Sequence, residues 1–525
     1  MLRDEKIWIA NNDKGEALSI IPKMANRHGL VAGATGTGKT VTLKVMAETF
    51  SEMGVPVFMA DVKGDIAGIM NPGTSSEDMD RRIEKFGLND YNFEFKGFPV
   101  TFWDIYGKNG IQVRTTISEM GPLLLSRILT LNDLQSDILS VVFKIADDNS
   151  LLLEDIKDLK SILGYVDEHS KDFEKDYGKI SSASIGVIVR SLVTLEKEGG
   201  DIFFGEPALN ISDWLTQDNG KGMINILDSS TLINNGRLYS TFLLWMMSEL
   251  FENLPEVGDL SKPKMVFFFD EAHLLFDDAP KVLLDKIEQM VKLIRSKGVG
   301  VYFCTQNPKD IPNGVLSQLG NKIEHGLRAY TPADQKAVKA AAESFRVNPE
   351  FNTYDTILSL GTGEAVVSFL GEDGIPGIAE KAYILPPRCS FGSVSDSVRD
   401  MKIKESLLYS KYYKSIDNDS AYEFLQRKGL EDAALREEEA KKKIEEKENA
   451  KLEALKAKED AKKAKEEERL KNRTIKSVEN SITGTVGRQV GKSLGKNFGS
   501  FGKTLGGNVG ASLGRGLLST LFSKK

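Results

Sequence analysis

The chain is poor in the residues that make crosslinks and metal cages. Its 525 residues hold two cysteines, Cys304 and Cys389, and four histidines. Two thiols cannot build a disulfide framework, and without a histidine cluster beside them they do not make a zinc site. They read as small buried hydrophobes in a reducing compartment. No apolar run of about 20 residues occurs, which excludes an ordinary membrane-spanning helix. The most apolar helical segment, Phe242–Phe251, is too short. The start, MLRDEKIWIANNDKGEAL, has no apolar run behind its basic residue, so no signal peptide is read there and a cytoplasmic body is expected. Residues 1–430 show no internal repeat. They also lack a recognisable nucleic-acid-binding module and the aromatic-basic interleaving that stacks bases.

The formal net charge of −7 conceals three regimes. Residues 474–525 carry eight Lys or Arg and one acid, Glu479, a net of +7. Residues 431–473 carry 14 acids and 14 bases, which leaves residues 1–430 with a net of about −14. The middle stretch has no Gly or Pro, and Glu437/Lys441, Glu438/Lys442 and Glu439/Lys443 stand at i,i+4 in the favourable order. Its apolar positions are mostly Ala, with few of any size, among them Ile444, Leu452, Leu455 and Leu470. It reads as a solvated helix or weak coiled coil acting as a spacer of roughly 65 Å.

In the body, strand and helix signals alternate. His28–Gly33 is an apolar run entering a glycine-rich turn, Thr40–Met53 has helical spacing, and Val55–Asp61 is a second buried strand. This βαβ unit implies a parallel sheet covered on both faces. Further strands of the same kind are expected at Gly222–Asp228, Met265–Asp270, Gly298–Thr305, Lys322–Leu327 and Glu364–Leu370, with helices after the last of them. Between them, residues from about 117 to 200 lack strand-like runs and read as an inserted helical subdomain, including LNDLQSDILSVVFKIADD and SSASIGVIVRSLVTLEKE. The expected fold is α/β, with a mostly parallel central sheet in domain 1–430, a spacer at 431–473 and a basic Gly-rich tail at 474–525.

Residues 33–40, GATGTGKT, match GxxxxGK[ST] between a strand and a helix. Gly33, Gly36 and Gly38, with Ala34, Thr35 and Thr37 between them, let the backbone wrap phosphates. Lys39 then reaches the β and γ phosphates, Thr40 offers its hydroxyl to Mg²⁺, and Val41 continues the helix whose positive end faces the anion. Val266–Glu271, VFFFDE, reads as a central strand ending in two carboxylates: Asp270 to hold Mg²⁺ and Glu271 to polarise the attacking water. Adjacent carboxylates at a buried strand end are costly unless a cation balances them. Gln306, at the tip of the next strand, can bond both the water and the γ phosphate. ATP and Mg²⁺ are therefore the expected ligands. No guanine-specifying Asn-Lys-x-Asp occurs.

GATGTGKT, ADVKGD at Ala60–Asp65, FFFDEAH at Phe267–His273 and the segment Lys297–Ile323 together resemble the HerA and FtsK superfamily of RecA-like P-loop ATPases. The likeness is nearest to its bacterial HerA-like helicase C-terminal (YjgR-like) group. The resemblance covers residues 1 to about 430. It implies that Lys39 and Thr40 bind nucleotide and Mg²⁺, that Asp270 and Glu271 are the Walker B pair, and that Gln306 is the polar sensor. It places Asp61 and Asp65 near the nucleotide or at a subunit interface. It further implies a homo-oligomeric, often hexameric, ring with an arginine supplied by the neighbour, for which Arg295 and Arg328 are the candidates. HerA proteins usually carry a β-barrel before the P-loop, and 32 residues precede Gly33 here.

From Val486 an apolar-Gly pair recurs, with glycines at 487, 491, 495, 499, 502, 506, 510 and 514, steps that put them on one helical stripe. Eleven glycines between 484 and 516 would cost such a helix on the order of 10 kcal/mol relative to Ala. Either the segment is a disordered basic tail, or a packing partner offsets that cost: another tail, an anionic membrane surface, a protein or nucleic-acid phosphates. Two functions fit the sequence, an ATP-driven ring moving on or remodelling DNA, and a protein-remodelling or signalling switch assembled or membrane-localised through its tail.

Overall fold

The computed structural model describes residues 1–232, 235–276 and 281–479. Two compact units are found, residues 1–169 with 177–424, and residues 170–176 with 425–525.

The first unit is built on a 13-stranded sheet. In chain order its strands are β1 (Leu2–Arg3), β2 (Lys6–Asn12), β3 (Ala17–Ile20), β4 (Gly29–Ala32), β5 (Val57–Asp61), β6 (Val100–Asp104), β7 (Ile111–Gln112), β8 (Ile224–Asp228), β9 (Met265–Phe269), β10 (Val299–Thr305), β11 (Asn321–His325), β12 (Glu364–Ser368) and β13 (Glu380–Ile384). Across the sheet they run β1-β2-β13-β12-β11-β4-β10-β9-β5-β8-β6-β7, with β3 beside β2. From β11 to β7 all pairings are parallel. From β11 outward to β1 they are antiparallel.

The central strands are apolar on both faces because helices cover both. Every residue of β5, β9 and β10 is buried, and Phe58, Phe267, Phe269 and Trp214 pack as one aromatic cluster under the sheet. The helix after the glycine loop, α1 (Lys39–Glu52), is buried along most of its length.

Residues between β7 and β8 form helices at Ile117–Ile128, Asp133–Asp148, Ile156–Glu168 and Ser182–Leu195. The first three begin with reciprocal capping boxes, Thr116/Glu119, Asn132/Gln135 and Asp155/Asp158, so their starts are written locally in the sequence. Leu139, Val142, Leu159, Ile162, Ile188 and Leu192 are among their buried residues.

Two sequence expectations are corrected. Glu364–Ser368 is not one of the parallel central strands: β12 pairs antiparallel with both β11 and β13. A strand buried on both faces has the same composition in either direction, so its pattern cannot report polarity. Nor does the chain turn directly to helices after it, because β13 intervenes and joins the amino-terminal β2. Helices follow only at Asp396–Glu405 and Leu407–Tyr412.

In the second unit, most of a single 59-residue helix, Ala421–Glu479, is described. At 1.5 Å per residue the helix is about 90 Å long. Lys441 and Lys442 pair with Glu437 and Glu438 at 2.9 Å each, with all four side chains solvated. The glycine repeat from Val486 lies outside the described residues. Among the described residues no single helix is long and apolar enough to cross a membrane.

Candidate nucleotide site

β4 delivers the chain into residues 33–38 at the carboxyl end of the parallel sheet, and α1 starts at Lys39. Gly33, Gly36 and Gly38 all have positive φ, at 148°, 79° and 113°. At Gly33 there is also no room, since a Cβ would lie 2.4 Å from that of His325. The loop is braced from outside. Gly33 N donates to Thr305 O (3.2 Å), Ala34 N to Gly326 O (3.0 Å), and Gly363 N to Thr37 O (2.9 Å). Thr35 and Gly36 form the exposed tip, while Thr37 turns its hydroxyl back onto Ala34 O at 2.7 Å. Val41 sits half-buried in the first turn of α1.

Lys39 is buried, and its Nζ donates to Gly33 O (2.7 Å) and Ala34 O (3.1 Å). Thr40 Oγ1 lies 3.4 Å from Asp65 Oδ2. One turn along, Thr42 Oγ1 lies 2.9 Å from His325 Nε2, and His325 Nδ1 lies 2.9 Å from Glu364 O. Burial pushes the His325 imidazole down to about 4, so it is neutral at physiological pH and serves as a hydrogen-bonded strut behind the loop.

Two strands away across the sheet, β9 ends and Asp270 follows, buried, with its Oδ2 lacking any hydrogen-bond partner. Burial, and then the neighbouring Glu271, raise the Asp270 carboxyl above the ordinary range. Glu271 stands in the left-handed region at φ 47°. Its Oε1 is paired with Lys63 Nζ, its Oε2 accepts from Gln306 Nε2 at 3.2 Å, and His273 Nδ1 approaches Oε2 at 3.4 Å. Burial alone would raise Glu271, but the hydrogen bond and charge of Lys63 outweigh it and hold the carboxyl below its usual value. Asp61, at the end of β5, accepts the amides of Gly64 (2.7 Å) and Ile66 (3.2 Å); burial, with Asp65 close by, pushes it up to about 7.

These positions fit a hydrated cation. Buried oxygens without partners, Asp270 Oδ2 and Asp65 Oδ1, belong to the two carboxylates that stand with the Thr40 hydroxyl at this end of the sheet. A buried carboxylate oxygen left without a donor is costly until a cation or its water reaches it. Among the described residues no group of three or more His, Cys, Asp or Glu is arranged as a cage.

The fold thus gathers Lys39, Thr40, Asp270, Glu271 and Gln306 at one end of adjacent strands. It does not bring the two arginines to them within this chain. Arg295 is exposed in the turn before β10, at the opposite end of that strand from Thr305. Arg328 is exposed beyond the end of β11, on the loop's side of the sheet, with Nη1 3.4 Å from Leu358 O. Sequence reasoning missed Lys63 and His325. The signal for Lys63 was its place inside ADVKGD, directly after a buried strand, and for His325 its position as a polar end to an otherwise buried one.

Residues 6–506 match the family described as Helicase HerA-like C-terminal. Among curated proteins the chain is similar to the DNA double-strand break repair helicase HerA of Sulfolobus acidocaldarius, at 23% identity over 345 residues, 65% of this chain and 62% of that protein. A probable helicase of Methanocaldococcus jannaschii is 32% identical over 146 residues, 27% of this chain and 26% of its own. The chain therefore spans less than two thirds of the length of these relatives. Among solved structures, the bacterial conjugative coupling protein TrwB aligns with a TM-score of 0.49 at 14% identity, over 75% of this chain and 92% of that one.

Proposed function

The chain belongs to the HerA-like C-terminal helicase family, and from that premise we propose that it is a Mg²⁺-dependent ATP hydrolase whose turnover drives a homo-oligomeric ring, of six subunits, along DNA in the cytoplasm. The observation that carries this reading is the convergence of a phosphate loop, an unpartnered buried Asp270 oxygen and a Glu271–Gln306 pair at one sheet end. Ligands of open parallel sheets bind outside the carboxyl ends of the strands.

In this reading the amides of residues 36–40 and the amino end of α1 hold the phosphates. Lys39 leaves the carbonyls of Gly33 and Ala34 for the β and γ phosphates. Thr40 and Asp270 would hold Mg²⁺, whose charge offsets that of the phosphates when bound. Glu271 takes the proton of the attacking water, and Gln306, bonded to the same carboxylate, orients that water against the γ phosphate. Arg328 or Arg295 of one subunit would complete the site of its neighbour.

The acidic body, about −14 over residues 1–430, requires that any DNA track be a local basic surface. Steady-state ATPase rates with and without duplex DNA, beside native mass, test the proposal. Stimulation by DNA in a ring-sized assembly supports it. ATP turnover indifferent to DNA would move the chain to a protein-remodelling or signalling role.

A further inference from the structure

The short loop after β5 touches both halves of the candidate site. The Asp61 carboxylate, accepting the amides of Gly64 and Ile66, ties residues 62–66 into a tight turn. Gly64 passes through φ 74°, where no atom lies within 4 Å of the place a Cβ would take; conformational freedom rather than space favours glycine there. On one side of Gly64, Lys63 pairs with Glu271 Oε1. On the other, Asp65 Oδ2 stands 3.4 Å from the Thr40 hydroxyl, and its Oδ1 has no partner. One glycine therefore separates a contact to the residue that would face the cation from a contact to the carboxylate that would activate water.

Glu271 is engaged on both oxygens, by Lys63 on Oε1 and by Gln306 on Oε2, with His273 beside it. A carboxylate already carrying an ammonium is a poorer acceptor for the proton of a water molecule. The Lys63 side chain is 42% exposed against 5% for Glu271, so the lysine is the partner free to move.

Resting on the ATPase reading above, we infer that Lys63 is a positioning residue that latches Glu271 in the resting subunit, and that the Lys63-Gly64-Asp65 loop frees Glu271 when Thr40 exchanges Asp65 for nucleotide and its cation. The loop then works as a sensor. Occupancy at Thr40 changes the partner of Asp65, Gly64 transmits the turn, and Lys63 withdraws from the catalytic carboxylate. The latch holds Glu271 engaged until the phosphate site is filled, and nucleotide binding bears the cost of opening it.

The test is steady-state ATP hydrolysis by the full chain with Mg²⁺ and no polymer. If binding has to break the latch, Lys63→Ala is expected to lower KM for ATP about threefold or more while kcat stays within about twofold. Lys63→Arg, which keeps a cation against Glu271, is expected to restore the wild-type KM. In Glu271→Gln, where no carboxylate remains to latch, adding Lys63→Ala should leave the dissociation constant for a fluorescent ATP analogue unchanged. Lys63→Gln, closer in length, gives an independent route to the same fall in KM. A rise or no change in KM for Lys63→Ala and Lys63→Gln, with ATP still hydrolysed, overturns the latch and leaves the ATPase reading intact. A wild-type chain that neither binds nor hydrolyses ATP overturns both.

Discussion

The Nζ of Lys39 rests 2.7 Å from the carbonyl oxygen of Gly33, six residues earlier in its own loop. On the proposed ATPase reading the lysine is pre-placed, satisfied by backbone carbonyls that it would leave for phosphate oxygens. Lys39→Ala keeps the glycine turn, which is braced by Thr305, Gly326 and Gly363, yet removes the cation. A charge-assisted contact of this kind contributes about 1.5 to 3 kcal/mol, so ATP affinity should fall by about ten- to a hundredfold or more. Titration with a fluorescent ATP analogue measures it, and near-wild-type affinity would remove Lys39 from the phosphate site.

Glu271→Gln preserves the shape of the side chain and removes the proposed base. Binding of ATP should persist while single-turnover hydrolysis drops by about 10²- to 10⁴-fold. Gln306→Ala removes the 3.2 Å partner of the same carboxylate and should lower kcat with a smaller effect on affinity. If Glu271→Gln turned over at the wild-type rate, another group would be the base.

How much of this was readable depends on the sequence distance of each contact. The phosphate loop lies within eight consecutive residues, and its glycines announce a backbone that only glycine adopts easily. Asp270 and Glu271 were legible because they end the apolar run Val266–Phe269, and Gln306 because it stands at the tip of the next strand after them. The Lys63–Glu271 pair joins residues 208 apart, and Thr42–His325 joins residues 283 apart. Only the order β5-β9 and the placing of β11 beside β4 creates those contacts, and strand order is not a local property. β6 and β13 were not read from the sequence. β2 was not read either: its apolar stretch Ile7–Ala10 is short and continues into Asn11 and Asn12, both buried.

Glu324 on β11 faces Ala32 of β4 in register, is fully buried, and has an Oε1 without a partner. Burial, only partly offset by Lys322 and Lys39, pushes its carboxyl up to about 8. An acid with a folded pKa above its ordinary 4.5 favours folding fully below that value, and the contribution is lost as pH rises towards 8. The buried His28 and His325, each lowered to about 4, act in the opposite sense, their contribution falling as pH drops below 6.5. Because Glu324→Gln leaves both histidines in place, the difference between variant and wild type isolates the carboxyl. The variant should gain relative stability between pH 5 and 8, at up to about 1.4 kcal/mol per pH unit. Guanidinium unfolding at several pH values tests this, and a pH-independent difference would place the charge of Glu324 in contact with water.

Arg388 ties the end of the fold to the helix that carries Lys39 and Thr40. Its side chain is 4% exposed; Nη2 lies 2.8 Å from Glu52 Oε2 and Nε lies 3.5 Å from Glu48 Oε2. Glu48 also accepts the backbone amides of Arg388 (3.1 Å) and Cys389 (2.9 Å), and Lys44 donates to Ser390 O at 2.9 Å. Three successive residues are thereby strapped along α1. Burial would raise the Glu52 carboxyl, but Arg388 and then Lys96 outweigh it and pull it down to about 2. A carboxylate depressed in this way favours folding above its ordinary 4.5, an advantage lost as pH falls towards 2. Arg388→Ala strands two carboxylates in the interior and should cost about 3 to 5 kcal/mol at pH 7. Arg388→Met, which retains most of the buried stem, should recover little, because the penalty comes from the unpaired acids and not from lost packing. The triple replacement Arg388→Met, Glu48→Gln and Glu52→Gln should recover most of it. Equal losses in the single and triple variants, measured by chemical denaturation, would show that the strap is held by shape alone.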